Sequence, residues 1–501
     1  MGERIAMTAR SSLVSLCAAS IALVGALAPA CRPKPEHEGT GQGVLLISIA
    51  ELSDGHLRLG GYDRNTMPKL ESLAHLGITF TDMWSTAPWG LPASASLLTG
   101  CDPYLARRRL PAGIPATVAT RWNIPRQAPR IAQEFLREGW ATAAFVDDPL
   151  LAPVHGFSLG FETFVMESPP HAAQPSEGLS GLPLRLVQWM QTIDRSEDWF
   201  AFLQLSDLER TWSAPDPQWD THFESRPELA SLPPVGDAEH LYHAIPRARW
   251  SGGLATLGEY QARYDGALSR LDSMLARLFS HLAQIDRLRS TTVCIVGSHG
   301  IGFGEAGLFV DHGTLSQSDL KVPWILRPRD GAGFPSDKQV PGLASLLDVA
   351  PTLLDIAGLH APASMHGVSF VPYLRGRTAA PPRTFAVARS GLQDGYLVIE
   401  PDWLLELTRP WVVDDEILAS SWYGSEPPYE HVPRVELVHR GGGAIEPERA
   451  AAETQRLCML GSGWVLDVER LRGSLQTVDW LLSFGLEVES DAVVIGPCAP
   501  D

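Results

Sequence analysis

Short apolar runs that alternate with amphipathic segments restrict this chain to few folds. Four runs, at 44–50, 142–146, 198–205 and 291–298, have the length and composition of strands that are buried on both faces. Segments with helical spacing lie between them, and the longest extends from about Leu257 to Gln284. The alternation predicts an α/β fold, in which a large and mostly parallel sheet is sandwiched between helices.

The amphipathic segments are predicted to be helices from their apolar stripes and end signals. One begins at Pro68, ends at Gly77 and places three leucines on one face: Leu70, Leu73 and Leu76. A second ends at Gly139, and a third covers 346–358. The long helix that starts near Leu257 carries a stripe of apolar residues: Tyr260, Tyr264, Leu268, Leu271, Leu275, Leu278 and Leu282.

The first thirty residues have the layout of an export signal. Arg4 and Arg10 precede the apolar run SSLVSLCAASIALVGALAPA, which ends in small residues. LAPAC resembles a bacterial lipobox, in which the cysteine, here Cys31, becomes the lipidated first residue of the mature protein. Simple cleavage and a retained anchor are the alternatives, because Pro29 is unusual in that motif. We therefore expect an exported protein, either in the bacterial cell envelope with a membrane contact through Cys31 or secreted.

Three regions are expected after this signal. Residues 31–43 are rich in Pro and Gly and form a tether, 44–380 form the large α/β domain, and 381–501 form a small α+β unit. Cys458 and Cys498 could pair in an oxidising compartment, which the sequence leaves open. The formal net charge of −18 argues against a nucleic-acid partner, because binding to phosphate backbones depends on clusters of Lys and Arg.

Two predicted strands end in polar residues at the edge where a ligand is expected. Glu51 follows the first strand, and Ser298 and His299 follow another. Ligands in open α/β sheets bind at the carboxyl ends of the strands, and the helix that starts near Pro92 should point its anion-favouring amino end there. A carboxylate-bound divalent metal beside a nucleophile at such a helix start would suit hydrolysis of phosphate or sulfate esters.

Five segments occur in an order that one family shares. Residues 44–64, VLLISIAELSDGHLRLGGYDR, match an opening strand and loop of the type VLLISIDTLRADHLGCYGYDR without a gap. Residues 66–89, 135–164, 291–326 and 346–359 match the elements that follow. The chain resembles the sulfatase family, within the alkaline phosphatase superfamily. The resemblance implies the alkaline-phosphatase-like α/β fold and the class of sulfuric ester hydrolases.

The nucleophile of that family has no counterpart here. Sulfatases present it in C/S/T-x-P-S-R or in T-x-P-S-H-A-S-L-L-T-G, and the matching window is GLPASAS at 90–96. Gly90 stands at the nucleophile position, Ala93 replaces the next serine, and Ser94 replaces the Arg or His. Family members convert Cys or Ser at this position to formylglycine, which glycine cannot supply. Ser94 begins roughly 6 Å further along the helix axis, beyond the approach of about 3–3.5 Å that attack requires.

The metal ligands implied by the resemblance are also depleted. The family's first Asp falls at Ala50, and the Asp of its S-D-H-G motif falls at Ser298. Glu51 and His299 remain as weak candidate ligands. Because a hard cation such as Ca²⁺ takes six or more oxygen ligands, we expect no cofactor, and Ca²⁺ or another divalent ion only if a residual site exists.

The residues that contact the anion in the family are partly retained. Residues 202–215, FLQLSDLERTWSAP, resemble the family's FLHLFDPHAPYDPP, so that its histidines fall at Gln204 and Glu209 while Asp207 is kept. His312 and Lys321 match a histidine and a basic residue of the family, and with Ser94 they are candidate anion contacts. His56 matches a loop histidine that has no assigned role.

Two functions are compatible with this pattern. The first is a pseudoenzyme that retains at most anion or glycan binding, with a sulfated or phosphorylated glycan or another cell-envelope protein as its partner. The second is an active sulfuric, phosphoric or phosphonic ester hydrolase with a relocated site. In that case a displaced metal or acid–base centre would act on water, and its residues would be Glu51, Asp54, Glu209, His299 and His312.

Overall fold

The computed structural model describes residues 39–106, 122–167, 179–212, 216–226, 232–236, 244–389, 395–408, 434–443, 445–472, 486–489 and 492–495. The predicted export signal, Cys31 and most of the tether lie outside these ranges. Cys498 lies outside them as well, so its pairing with the buried Cys458 stays a prediction.

The strands and helices of the described residues alternate along the first part of the chain. The strands are β1 (Gly43–Ile49), β2 (Ile78–Trp84), β3 (Ala141–Val146), β4 (Thr163–Met166), β5 (Trp199–Leu205), β6 (Val235–Gly236), β7 (Ile245–Pro246), β8 (Thr291–Gly297), β9 (Gly302–Phe303), β10 (Phe309–Asp311), β11 (Trp324–Arg327), β12 (Lys338–Ser345), β13 (Ala386–Arg389), β14 (Gly395–Ile399), β15 (Trp403–Thr408), β16 (Arg434–His439), β17 (Leu486–Glu489) and β18 (Ala492–Ile495). The helices are α1 (Pro68–His75), α2 (Gly90–Thr99), α3 (Ile131–Arg137), α4 (Gly181–Thr192), α5 (Pro217–Asp220), α6 (Leu257–Gln284), α7 (Gln317–Leu320), α8 (Val349–Ile356), α9 (Val371–Leu374) and α10 (Pro447–Arg472).

One large sheet forms the centre of the fold. Its eight strands lie in the order β12-β2-β11-β8-β1-β5-β3-β4, and β11 runs antiparallel to both of its neighbours. The four predicted strands are adjacent to one another as β8, β1, β5 and β3, and all of their residues are buried. The mostly parallel sheet predicted from the buried runs is therefore confirmed.

Helices cover both faces of this sheet. Successive residues of a strand point to opposite sides, so β1 contributes side chains to a core on each face. Leu46 of β1 packs in a core with residues of α2, α3 and α8. Leu45 and Ile47 pack in a second core with residues of α1, α4 and α6. The predicted sandwich of helices around the sheet is thus confirmed.

The predicted helices agree with the structure apart from their ends. Helix α6 has the predicted bounds, and its whole predicted stripe is buried. Leu76, which the sequence placed on one helical face with Leu70 and Leu73, instead lies just beyond the end of α1 at His75 and is 63% exposed. The segment predicted at 346–358 begins with a 3-10 turn before α8.

An antiparallel sheet of β13, β14, β15 and β16 packs against α10 in the C-terminal region. Leu397 of β14 also shares an apolar cluster with Trp84 of the large sheet. Arg440, just after β16, donates hydrogen bonds to the carboxylate of Asp82 in β2. The boundary at residue 380 remains a prediction, because the two sheets are in direct contact.

Substitution of Gly266 tests whether α5, which lies in the segment after β5, packs against the long helix α6. It lies inside α6, where a Cβ atom would stand 2.0 Å from the carbonyl oxygen of Trp219 in α5. Gly266→Ala should therefore destabilise the protein by about 2 kcal/mol, because backbone would have to move.

The matched control is Gly463→Ala in α10, where a new Cβ has no atom within 4 Å. It should stabilise the protein by up to about 1 kcal/mol through helix propensity. Chemical denaturation of both variants measures the difference, and equal effects of the two substitutions would contradict the packing of α5 on α6.

Candidate functional site

Gly90 is the first residue of α2, at the carboxyl edge of the large sheet. Trp89 precedes the helix without a side-chain cap, and Pro92 has no N–H. The N–H groups of Gly90 and Leu91 are therefore without a partner inside the helix. A methyl group at Gly90 would lie 3.2 Å from Oδ2 of Asp148 and 3.9 Å from Cε1 of His299. Gly90 thus faces a carboxyl group and an imidazole ring.

Four titratable side chains from separate elements meet beside this helix start. Glu51 follows β1, Glu209 lies beyond β5, His299 follows β8 and His312 follows β10. One ligand atom from each lies within 4.8 Å of the others. Oε1 of Glu51 is 3.6 Å from Nε2 of His312, and the two imidazole rings have centroids 4.4 Å apart. Of the five residues that the sequence suggested for a relocated site, the structure therefore brings together all except Asp54.

Arg249 is a site residue that the sequence analysis did not find. It follows β7, and its Nη2 lies 2.6 Å from Oε1 of Glu51 and 3.9 Å from Oδ1 of Asp311. Its Nη1 donates a hydrogen bond of 3.3 Å to the carbonyl oxygen of Glu209. No pattern in the sequence marks Arg249, because it lies outside the strand ends of the large sheet.

Asp147 and Asp148 were also missed, although the same strand-end argument applies to them, since they follow β3. The amide oxygen of Gln204 accepts hydrogen bonds of 3.1 Å from both of their N–H groups. Asp147 accepts a hydrogen bond of 2.8 Å from Nη2 of Arg210, and Oδ1 of Asp148 accepts one of 2.8 Å from the N–H of Leu150. Gln204, at a histidine position of the resembled motif, therefore fixes the turn that carries both carboxyl groups.

Burial raises the pKa of the carboxyl groups around Gly90. Desolvation raises the pKa of Asp148 to about 6, with a further contribution from the charge of Asp147. The pKa of Glu209 lies well above its ordinary value, first because of desolvation and then because Glu51 and Asp148 repel its charge. Asp148 is therefore about half protonated near pH 6, and Glu209 holds its proton to a higher pH than an ordinary glutamate.

Comparison with known proteins identifies the family. Residues 42–359 match the family model described as Sulfatase. The chain belongs to the sulfatase family. Bovine arylsulfatase A is 25% identical over 399 residues, which cover 73% of this chain and 72% of the relative. The extracellular sulfatase SULF-1 homolog of Drosophila melanogaster is 29% identical over 119 residues, which are 23% of this chain but only 10% of that protein.

Solved structures of the alkaline phosphatase superfamily share the fold. One, solved with its substrate D-glucosamine-2-N,6-O-disulfate, matches with a TM-score of 0.59 and 15% identity over 86% of this chain and 98% of the other. The phosphonate monoester hydrolase of Agrobacterium radiobacter matches with a TM-score of 0.59 and 17% identity over 91% of this chain and 99% of the other. The resemblance read from the sequence is therefore confirmed.

Sulfatases usually bind a divalent metal, and the residues of this chain fit a hard cation poorly. Ca²⁺ takes six to eight oxygen ligands at about 2.3–2.6 Å. Ala50 offers no ligand, and the hydroxyl of Ser298 lies 3.0 Å from Nδ1 of His299. Glu51 is already engaged by Arg249 at 2.6 Å. The set of two glutamates and two histidines suits a transition metal better than Ca²⁺.

The remaining candidates from the sequence lie outside the four-residue group. Ser94 is buried inside α2. Asp54 and Lys321 lie together: the N–H of Asp54 donates to the carbonyl oxygen of Lys321, and burial raises the pKa of Asp54 to about 6 although the charge of Lys321 lowers it. Nδ1 of His56 is 3.2 Å from Asp265 in α6, and Asp207 pairs with Arg270.

Glu209→Gln tests the raised pKa of this carboxyl group. The unfolded chain ionises Glu209 at its ordinary pKa, whereas the folded protein keeps it protonated to higher pH. Stability is therefore lost as pH rises from the unfolded towards the folded pKa. Since glutamine copies the protonated form, Glu209→Gln should be more stable than the wild type near pH 7.5 by about 1 kcal/mol or more, and the gain should vanish at about pH 4.

Thermal denaturation across this pH range measures the effect. Glu446→Gln, at an exposed position, is the control and should leave the pH dependence of stability unchanged. A variant Glu209→Gln that is no more stable than the wild type near neutral pH would show that Glu209 is ionised in the folded protein.

Proposed function

We propose that the chain is a sulfatase-family protein that has lost hydrolysis and binds a sulfated or phosphorylated glycan at the edge beside Gly90. The observation that carries the proposal is the start of α2. Gly90 places no side chain there, while the carboxyl group of Asp148 and the fully buried His299 are the nearest side chains to the position. Free N–H groups at a helix start favour anions even when no nucleophile is present.

The composition of the site supports loss of chemistry together with retention of the fold. Attack on sulfur needs a nucleophile within about 3–3.5 Å, and Gly90 has no reactive atom. Ala50 and Ser298 replace metal-binding carboxylates of the family pattern, yet the strands that directly precede them are fully buried and regular. The site has therefore changed while the packing that forms the sheet has not.

The relatives support a glycan as the ligand. One matched structure was solved in complex with its substrate D-glucosamine-2-N,6-O-disulfate, which supports a sulfated sugar as the ligand class. The two imidazoles and the protonatable carboxyls Asp148 and Glu209 can exchange hydrogen bonds with sugar hydroxyls. We further propose that the protein is exported, from the basic and apolar pattern of residues 1–30. Among the described residues, no helix is both long and apolar enough to span a bilayer.

The absence of a nucleophile predicts an absence of turnover. The purified protein should hydrolyse 4-nitrophenyl sulfate, 4-nitrophenyl phosphate and a phenylphosphonate ester no faster than buffer, with or without Ca²⁺ or Mn²⁺. Gly90→Ser should also be inactive, because it restores a hydroxyl but neither the formylglycine nor the lost carboxylates. Turnover by the wild type that His299→Ala abolishes would refute the proposal.

Binding of an anion should strengthen as the pH falls. Protonation of Asp148, whose pKa is about 6, and of Glu209 removes negative charge beside Gly90. Affinity for D-glucosamine-2-N,6-O-disulfate should rise about tenfold between about pH 8 and pH 5.5, the factor that ~1.4 kcal/mol of relieved repulsion corresponds to. Calorimetry in buffers of different ionisation enthalpy should show proton uptake on binding.

Gly90→Leu should remove this binding, since even its Cβ would lie 3.2 Å from Asp148. Gly55→Leu is the matched control, because a Cβ there has no atom within 4 Å. Equal loss of binding in both variants, or affinity that rises with pH, would place the ligand elsewhere.

A second candidate function is hydrolysis by a metal centre at a relocated site. The four-residue group favours it, because its ligand atoms lie within 4.8 Å and could hold a transition metal. In that case Glu51, Glu209, His299 and His312 would bind the ion, which would supply an activated water. A stoichiometric transition metal in the purified protein, together with metal-dependent turnover, would favour this candidate over the first.

A further inference from the structure

The guanidinium of Arg249 lies among oxygen atoms from three separate parts of the chain. It contacts the carboxylate of Glu51 after β1 at 2.6 Å, and that of Asp311 in β10 lies 3.9 Å away. It also donates to the carbonyl oxygen of Glu209 at 3.3 Å. The side chains of Glu51 and Asp311 are 0% and 1% exposed, whereas that of Arg249 is 15% exposed. A positive group thus stands inside a buried shell of oxygen atoms.

The backbone is strained at or next to both of the residues that supply these carboxylates. Glu51 has a φ angle of +56°, and Val310, which precedes Asp311, has one of +58°. Non-glycine residues rarely adopt this region, and a β-branched residue such as Val310 does so least readily. The hydroxyl of Tyr264 in α6 holds the carbonyl of Glu51 by a hydrogen bond. The cost of order 1–3 kcal/mol for each strained residue is tolerated where both carboxylates face Arg249.

Charge balance explains why a cation is required at this point. An ionised carboxylate that is buried without a partner is strongly destabilised, and the closest cation to Glu51 is Arg249. Burial alone would lower the pKa of Arg249, but the charges of Glu51, Asp311 and Glu209 outweigh it and raise this pKa. The guanidinium is therefore permanently charged, and a divalent ion at Glu51 would have to displace it.

We propose that the guanidinium of Arg249 is a built-in replacement for the divalent cation of sulfatases. It neutralises Glu51, also attracts the more distant Asp311, and makes the site independent of metal. This role explains how the chain can lack carboxylates at positions 50 and 298 and still keep an acidic side chain buried after β1. The inference concerns the cation alone and does not depend on whether a glycan binds beside Gly90.

The test is to remove the arginine and offer a metal instead. In Arg249→Met, Glu51 and Asp311 lose their cation, so the melting temperature should fall by about 5 °C or more without metal. About 1 mM Mn²⁺ should restore at least half of this loss, because the ion binds only the folded state, and Ca²⁺ should restore less of it. The wild type should show no shift with either ion and no stoichiometric divalent metal by mass spectrometry.

Two further variants separate this role from ordinary packing. Arg383→Met loses an ion pair of the same type with the buried Asp348, remote in sequence from Glu51, and should be destabilised without rescue by metal. Glu51→Gln/Arg249→Met lacks both charges, so it should be more stable than Arg249→Met alone and should not respond to Ca²⁺ or Mn²⁺. The double variant also answers the question if Arg249→Met does not fold.

Three results would overturn the proposal. One is a wild type that binds Ca²⁺, Mn²⁺ or Zn²⁺ stoichiometrically at Glu51, as judged by loss of the ion in Glu51→Gln. Another is an Arg249→Met variant as stable as the wild type in the absence of metal. The third is a double variant no more stable than Arg249→Met, since Glu51 would then gain nothing from the cation. Loss of sulfated-sugar binding in any variant would bear only on the proposed function.

Discussion

The pairing of β1 with β5 on one side and β8 on the other sets the positions of Glu51, Glu209 and His299. Ile49, the last residue of β1, lies opposite Leu205 and Gly297, the last residues of its neighbours. The N–H of Ala50 donates to Leu205 and the N–H of Ser298 donates to Ile49, so the three strands end level. Glu51, Glu209 and His299 therefore converge because the register is fixed by a strand that is buried on both faces.

This dependence explains what the sequence could and could not reveal. Buried runs and a helical stripe predict the sheet and α6, because hydrophobic burial depends on composition and spacing that any window shows. Glu51 and His299 were predicted because they directly follow such runs. Asp148 lies just after β3, so the same argument from polar residues at strand ends would have predicted it. Arg249 could not be found, since its contact with Glu51 crosses about two hundred positions of sequence, and only the folded chain creates it.

Fold and chemistry are separable in this protein because they rest on different interactions. The two cores on either side of the sheet consist of apolar side chains, and their free energy does not depend on which polar residues end the strands. The polar edge depends instead on local electrostatics and hydrogen bonding. The buried carboxylate of Glu51 needs a positive partner, and the polar groups around it need hydrogen-bond partners. Gln204 shows how the second condition is met, since it supports Asp147 and Asp148 from the position of a family histidine.

The charge around Gly90 depends on the polar residues at the edge of the sheet and not on the apolar cores. Arg249 is paired with Glu51 at 2.6 Å, so the carboxyl groups of Asp148 and Glu209 determine how strongly the surroundings of Gly90 repel an anion. Burial raises the pKa of Asp148 to about 6, close to physiological pH, and raises the pKa of Glu209 in the same direction. In a metal-dependent sulfatase a fixed divalent ion makes the pocket attractive to anions. In the proposed binding site Arg249 is instead paired with Glu51, so protonation of Asp148 and Glu209 is what would reduce the repulsion of an anion.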